Sequence, residues 1–166
     1  MKNNDSAKQY VKGEQTRQHI LDIAKKEFLE KGYYDVSIRN IAKTAELTTG
    51  AVFRYFPDKE SLFGALVSPV AESVLSMYRS GNEQGYQLLE EGVPQDIWQI
   101  SEQFIHDFIQ YLFANKEAFS LLINCSSGSP YESFMDDLVE EVEKQTYSFL
   151  QEMLKKGYPC RNRTWN

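Results

Sequence analysis

Apolar residues recur at intervals of three and four along nearly the whole of this 166-residue chain, and no stretch alternates polar with apolar for any length. That spacing belongs to the one-sided stripe of an α-helix, whereas a half-buried strand needs a period of two. Leu62, Phe63, Leu66, Val67, Val70, Val74 and Met77 form one stripe. Ile97, Ile100, Phe104, Ile105, Phe108, Ile109 and Leu112 form a second, and Phe134, Leu138, Val142, Phe149, Leu150 and Met153 a third, expected to face inward. The fold class that follows is all-α.

Breaker residues divide these stripes. Pro69 interrupts the first and predicts a kink or break, because proline lacks the amide donor and its ring crowds the preceding turn. Gly81 to Pro94 reads as a polar connection, with a short helical piece around Tyr86 to Glu90. Asp96 precedes the second stripe. Lys116 to Asn124 is a short apolar helix, Cys125 to Pro130 a loop by composition, and Tyr131 to about Lys156 the longest helix.

Residues 37–63 carry the most specific pattern. Ser37 is suited to cap a helix through its hydroxyl. Ile38, Ile41, Ala42 and Ala45 then form a buried stripe, while Arg39, Asn40, Lys43 and Thr44 occupy the other face. Leu47, the large apolar residue of the turn, is placed to plug the angle between two helices. Thr48 caps the next helix. Val52, Tyr55 and Phe56 are spaced to face inward, and Thr49, Gly50, Phe53 and Arg54 to face out. Pro57 stops this helix, and Asp58 opens a third with Lys59 on its first turn. Two short helices joined by a tight turn form a DNA-reading unit when the second lies in a major groove. Gly50 lets backbone approach a partner closely. Arg54 suits bidentate pairing with a guanine edge, while Ser37, Tyr55 and Lys59 suit phosphate. Tyr55 equally fits a buried position with its hydroxyl outside.

This segment resembles the DNA-binding domain of TetR-family transcriptional regulators. The residues that carry the resemblance are Ser37, Ile41-Ala42, Ala45-Glu46-Leu47-Thr48, Gly50, Val52-Phe53-Arg54-Tyr55-Phe56 and Asp58-Lys59-Glu60-Ser61-Leu62. Upstream, Thr16 to Ala24 leads to Phe28 and a helix-ending Lys31-Gly32-Tyr33. The match covers roughly residues 14–65. Glu46 stands where the turn is usually glycine, so its backbone must avoid positive φ or carry strain. Phe53 stands where tyrosine is usual and lacks the hydroxyl that bonds phosphate.

Residues 1–12 are polar and read as a flexible N-terminal arm in which Lys2, Lys8 and Lys12 add weak phosphate contacts. The resemblance implies a three-helix helix-turn-helix DNA-binding domain over 13–62 and a helical-bundle domain over 63–166 for effector binding and dimerisation. Ser37, Arg39, Thr48, Thr49, Gly50, Phe53, Arg54, Tyr55 and Lys59 are the expected contacts to double-stranded DNA. The expected function is that of a dimeric repressor released from a near-palindromic operator by a small-molecule effector. The competing reading is a helical interaction module that depends on a partner and has lost independent DNA binding. Trp98, Phe104, Phe108, Tyr111 and Phe119 are candidate lining for an effector pocket of apolar or aromatic preference, and each also fits an ordinary core. Family members usually continue past Gly157-Tyr158-Pro159 into one more apolar helix, so the end at 157–166 predicts weakened dimerisation or pairing by another surface.

Charge distribution agrees with this division. The total is −6, yet residues 1–62 hold 11 Lys+Arg against 9 Asp+Glu, and residues 63–166 hold 7 against 15. The local balance, not the total, shapes a footprint on DNA. No run of about 18 apolar residues is apparent, so no membrane span is expected, and a polar start without an apolar core argues against a signal peptide. Cys125 and Cys160 lack metal-type spacing. With a reducing cytoplasm as the compartment, Cys125 reads as an inert buried thiol. His19 and His106 read as surface or satisfied histidines, His106-Asp107 carries no independent sign of a ligand role, and the acidic run at Glu140, Glu141 and Glu143 reads as a solvated helix face. No catalytic constellation, metal site or cofactor is implied.

Overall fold

A computed structural model describes the backbone of residues 2–92 and 97–158 and the side chains of residues 10–92 and 102–158. Within these residues it contains seven helices and no strand: α1 (Lys2–Asp35), α2 (Ile38–Thr44), α3 (Thr49–Phe53), α4 (Lys59–Glu91), α5 (Ile97–Ala114), α6 (Lys116–Asn124) and α7 (Phe134–Lys155). Two compact units result, one of residues 1–71 with 115–132, the other of 72–114 with 133–166. Chain order therefore does not separate them: α6 leaves the second half of the sequence to pack on α1.

In the first unit the core is built on Phe28, Phe63, Ile20, Ile41 and Leu62, all with 0 % exposure. Burying each such side chain contributes about 1.5–3 kcal/mol. Phe63 meets Phe28 edge-on at 5.0 Å between centroids, Tyr33 at 5.0 Å and Tyr131 at 6.2 Å. Gly32 takes φ 76° and turns the end of α1, which lets the Tyr33 amide donate to the Cys125 carbonyl at 2.7 Å. Lys25 reaches Glu117 on α6 at 2.6 Å, and this cation holds the Glu117 carboxyl below its ordinary range.

Residues 2–12, expected as an arm, are helical and continue α1 without interruption. Pro69 does not break α4, which runs on to Glu91. Val67, Val70, Ala71 and Val74 are buried on both sides of it, and this anchoring offsets the roughly 3 kcal/mol that an interior proline costs. The connection expected at Gly81 to Pro94 is likewise helix as far as Glu91; residues 93–96 lie outside the described ones. Gly81 and Gly85 sit inside α4 because aromatic rings press on its backbone. A Cβ at Gly81 would lie 3.2 Å from Phe104, and one at Gly85 would lie 3.5 Å from Phe149.

Contrary to the sequence expectation, α4 contains a stretch long and apolar enough, by length and composition, to cross a bilayer. One third of that stretch is buried, Phe63 and Val67 fully. The apolar residues of α7, expected inside, are only half covered: none is buried, and Leu150 is exposed.

Candidate nucleic-acid interface and effector cavities

Each short helix around the turn has a cap chosen by sequence. Ser37 Oγ accepts from the Asn40 amide at 3.2 Å and opens α2. Thr48 Oγ1 accepts from the Ala51 amide at 3.1 Å and opens α3. Asp58 opens α4: its Oδ1 accepts from the Ser61 amide at 2.6 Å, while the Asp58 amide donates to Ser61 Oγ at 3.2 Å. These bonds hold the Asp58 carboxyl below the usual carboxylate range. Ile38, Ile41, Ala42, Ala45, Val52 and Phe56 are buried beneath this frame. Arg17 lies over the Phe56 ring at 5.3 Å.

The turn bends at Glu46, whose φ of 55° lies in the left-handed region. Of the two outcomes open for this residue, the structure takes the strained one. The Glu46 amide donates to the Lys43 carbonyl at 3.2 Å and the Leu47 amide to the Ala42 carbonyl at 2.9 Å, so backbone bonding holds the residue in place. Leu47 is half-buried.

On the outer face Ser37, Arg39, Thr48, Gly50, Phe53 and Arg54 are exposed. Phe53 presents 45 % of its surface. Thr49 is half-buried rather than facing out, and Tyr55 is half-buried with the Arg54 guanidinium 5.9 Å from its ring centroid. Lys59 differs from the others. Its ammonium donates to the carbonyls of Tyr33 at 2.8 Å, Val36 at 3.1 Å and Tyr34 at 3.3 Å, and sits over the Tyr33 ring at 4.3 Å. Burial pulls the Lys59 pKa down, opposed by nearby Asp35. Its side chain thus closes the end of α1, a role that spacing alone did not indicate. His19 Nε2 lies 3.3 Å from the Ala45 carbonyl, the satisfied role expected of it. Burial pushes the Cys125 thiol up, which suits an unreactive side chain.

The same residues stand out in comparison with known proteins. Residues 20–66 match the sequence description "bacterial regulatory proteins, tetR family". Over residues 20–66 the chain is similar to TetR-family regulators. The transcriptional regulator AcrR of Shigella flexneri is 43 % identical over 53 residues, 32 % of this chain and 25 % of AcrR. The repressor AcnR of Corynebacterium diphtheriae is 44 % identical over 50 residues, 30 % of this chain and 26 % of AcnR. The chain thus matches only about a quarter of these two relatives. YdgC, an HTH-type regulator of Bacillus subtilis, is 26 % identical over 84 % of this chain and 83 % of its own length. Among solved structures, a transcriptional regulator of Aquifex aeolicus superposes with a TM-score of 0.54 at 22 % identity, over 82 % of this chain and 72 % of that one. NalD of Pseudomonas aeruginosa, secondary repressor of the MexAB-OprM multidrug efflux pump, gives 0.51 at 22 % identity, over 90 % and 68 %. At that identity the likeness concerns the all-α fold.

The second unit contains cavities. Phe104 lines two of them: a groove of about 670 Å³ with Ser80, Gln84, Gln103 and Asp107, and a pocket of about 360 Å³ with Tyr78, Ile105 and Phe149. Of the aromatics expected to line an effector site, Phe108 stacks on Phe104 at 5.8 Å and 8°, and Tyr111 is half-buried. Phe119 lies on α6 in the first unit, and the Trp98 side chain is outside the described ones. Sequence reading passed over Gly81, Tyr78 and Phe149 as lining. The glycines at 81 and 85, one helical turn apart, were the available signal.

Proposed function

We propose that the protein is a sequence-specific DNA-binding transcriptional regulator, a dimeric repressor that a small-molecule effector releases from a near-palindromic operator in the cytoplasm. The observation that carries this reading is the capped α2–turn–α3 segment, whose exposed Ser37, Arg39, Thr48, Gly50, Phe53 and Arg54 lie within the stretch that matches the TetR family. In this reading α3 enters the major groove. Arg54 reads a base edge, Ser37 and Tyr55 hold phosphates, Thr49 and Gly50 allow close approach, and Phe53 packs on sugar or a thymine methyl. Lys59 adds positive charge where α4 begins. No enzymatic step belongs to this function, and no cofactor is required.

Dimerisation is supported by apolar rows left uncovered in the single chain. Ile109 and Phe113, one turn apart on α5, are 45 % and 75 % exposed; on α7, Val139, Tyr147 and Leu154 are 59 %, 64 % and 55 % exposed. Apolar rows of this kind mark interaction surfaces. A two-fold dimer presents two copies of α3 to half-sites about one helical turn apart.

The deciding experiment is a footprint of the protein on DNA flanking its own gene, with excess non-specific competitor. A protected near-palindrome is expected. Absence of protection by folded protein refutes independent operator binding. Sedimentation at low concentration tests the dimer separately.

A further inference from the structure

The cavities of the second unit differ in chemistry and share one wall. The groove of about 670 Å³ is lined by the hydroxyls of Ser76 and Ser80, the amides of Gln84 and Gln103 and the carboxylate of Asp107. The pocket of about 360 Å³ is mainly apolar, with Tyr78, Ile105 and Phe149 around it. Gly81 and Phe104 belong to both. Phe104 holds this dividing position because Gly81 has no Cβ: the ring packs on bare α4 backbone, 3.2 Å from where a Cβ would stand. The Phe108 ring lies parallel to it at 5.8 Å between centroids.

Among the described residues, Asp107 is the one ionisable group lining the groove. Gln103 Nε2 donates to its Oδ1 at 2.8 Å, and His106 Nδ1 lies 3.3 Å away. These bonds orient the carboxylate and keep it ionised to lower pH than usual. The described residues of the second unit carry 4 Lys+Arg against 12 Asp+Glu, a field that concentrates cations. An aromatic face beside a carboxylate attracts a cationic head, while an adjoining apolar pocket accepts an apolar body.

We infer that this paired cavity binds an amphipathic organic cation, its charged head against Asp107 and Phe104 and its apolar body among Tyr78, Ile105 and Phe149. The inference rests on the effector-responsive reading above and names the effector's chemical class. Phe104 separates the two environments, so a ligand spanning both must lie along its ring. That spanning geometry is the reason for amphipathic rather than purely apolar preference.

The test is calorimetric titration of the full chain with monomeric dodecyltrimethylammonium, against the neutral dodecyldimethylamine oxide and the anionic dodecyl sulfate, which share its tail. The cation is expected to bind most tightly. Asp107→Asn is expected to lower cation affinity roughly two- to fivefold, the worth of one partly exposed charge pair, and to leave the neutral compound unaffected. Gly81→Ala, which crowds Phe104, is expected to weaken both. Equal affinity for the three compounds, preference for the neutral or anionic one, or an unchanged cation preference in Asp107→Asn would overturn the inference. The titration needs no DNA. Cation binding that leaves operator occupancy unchanged therefore supports the site and sinks ligand-driven release, whereas a failed titration with operator still footprinted sinks the site alone.

Discussion

The ammonium nitrogen of Lys59 lies 2.8 Å from the carbonyl oxygen of Tyr33. This contact joins the first turn of α4 to the end of α1, and the Tyr34 and Val36 carbonyls complete the set of acceptors. Three donors thereby serve the Tyr33 and Tyr34 carbonyls, which the end of a helix leaves without intrahelical partners, and the Val36 carbonyl just beyond it.

Lys59→Met is therefore expected to lower the unfolding free energy by about 1–3 kcal/mol, the range for removing hydrogen bonds from a charged group. Chemical denaturation measures it. A lysine acting only on phosphate would leave stability unchanged, so an unaltered denaturation midpoint would remove the capping role.

Glu46→Gly is expected to stabilise the protein. A side chain at φ 55° costs about 1–2 kcal/mol relative to right-handed backbone. Glycine removes that cost while losing about 0.5–1 kcal/mol in unfolded-chain entropy. A net gain near 0.5–1 kcal/mol in the same denaturation assay is the expected result, and destabilisation would show that the turn carries no such strain.

Gly50→Ala separates stability from binding. Nothing lies within 4 Å of a Cβ built at Gly50, so alanine is expected to raise stability by about 0.5–1 kcal/mol through helix propensity. On the proposed DNA face the same methyl obstructs close approach, and operator affinity is expected to fall by about tenfold, or 1.4 kcal/mol. Parallel unfolding and gel-shift titrations give both numbers. Unchanged affinity would place Gly50 away from DNA.

Arg54→Ala is expected to cost about 1–3 kcal/mol of specific binding and to relax selection at one operator position. Binding to a library of operator variants reads this directly. Uniform weakening across all sequences would instead assign Arg54 to phosphate.

Acid should loosen the start of α4. The Asp58 carboxyl is held below its ordinary value by its bonds to Ser61. A carboxylate whose folded value is depressed contributes stability above its unfolded value and loses it as the pH falls through the folded one. The stability difference between the native protein and Asp58→Ala is therefore expected to be full at neutral pH and to shrink below the ordinary carboxylate range. A difference that stays constant through acid would show that the bonds to Ser61 do not depend on charge.

Much of the proposed DNA-binding segment was legible locally. Ser37, Thr48 and Asp58 announce three helix starts because capping depends on a side chain and the amides two or three residues beyond it. The buried Ile38, Ile41, Ala42 and Val52 follow from spacing. Pro69 and Gly81 misled for the opposite reason. Each has a local helix-breaking tendency, but buried Val67, Val70 and Val74 hold the helix through Pro69, and the Phe104 ring occupies the space beside Gly81.

The sequence by itself determined the all-α class, the caps and turn of the helix-turn-helix and the outward placement of Arg39, Gly50, Phe53 and Arg54, since all of these depend on residues within a turn or two of one another. Only the tertiary structure decided that α6 packs on α1, that Lys59 closes α1 some 25 residues away, and that Phe104 lines both a groove of mixed polarity and a mainly apolar pocket. Those arrangements arise from burial and hydrogen bonding between distant segments, whose partners no local periodicity can name.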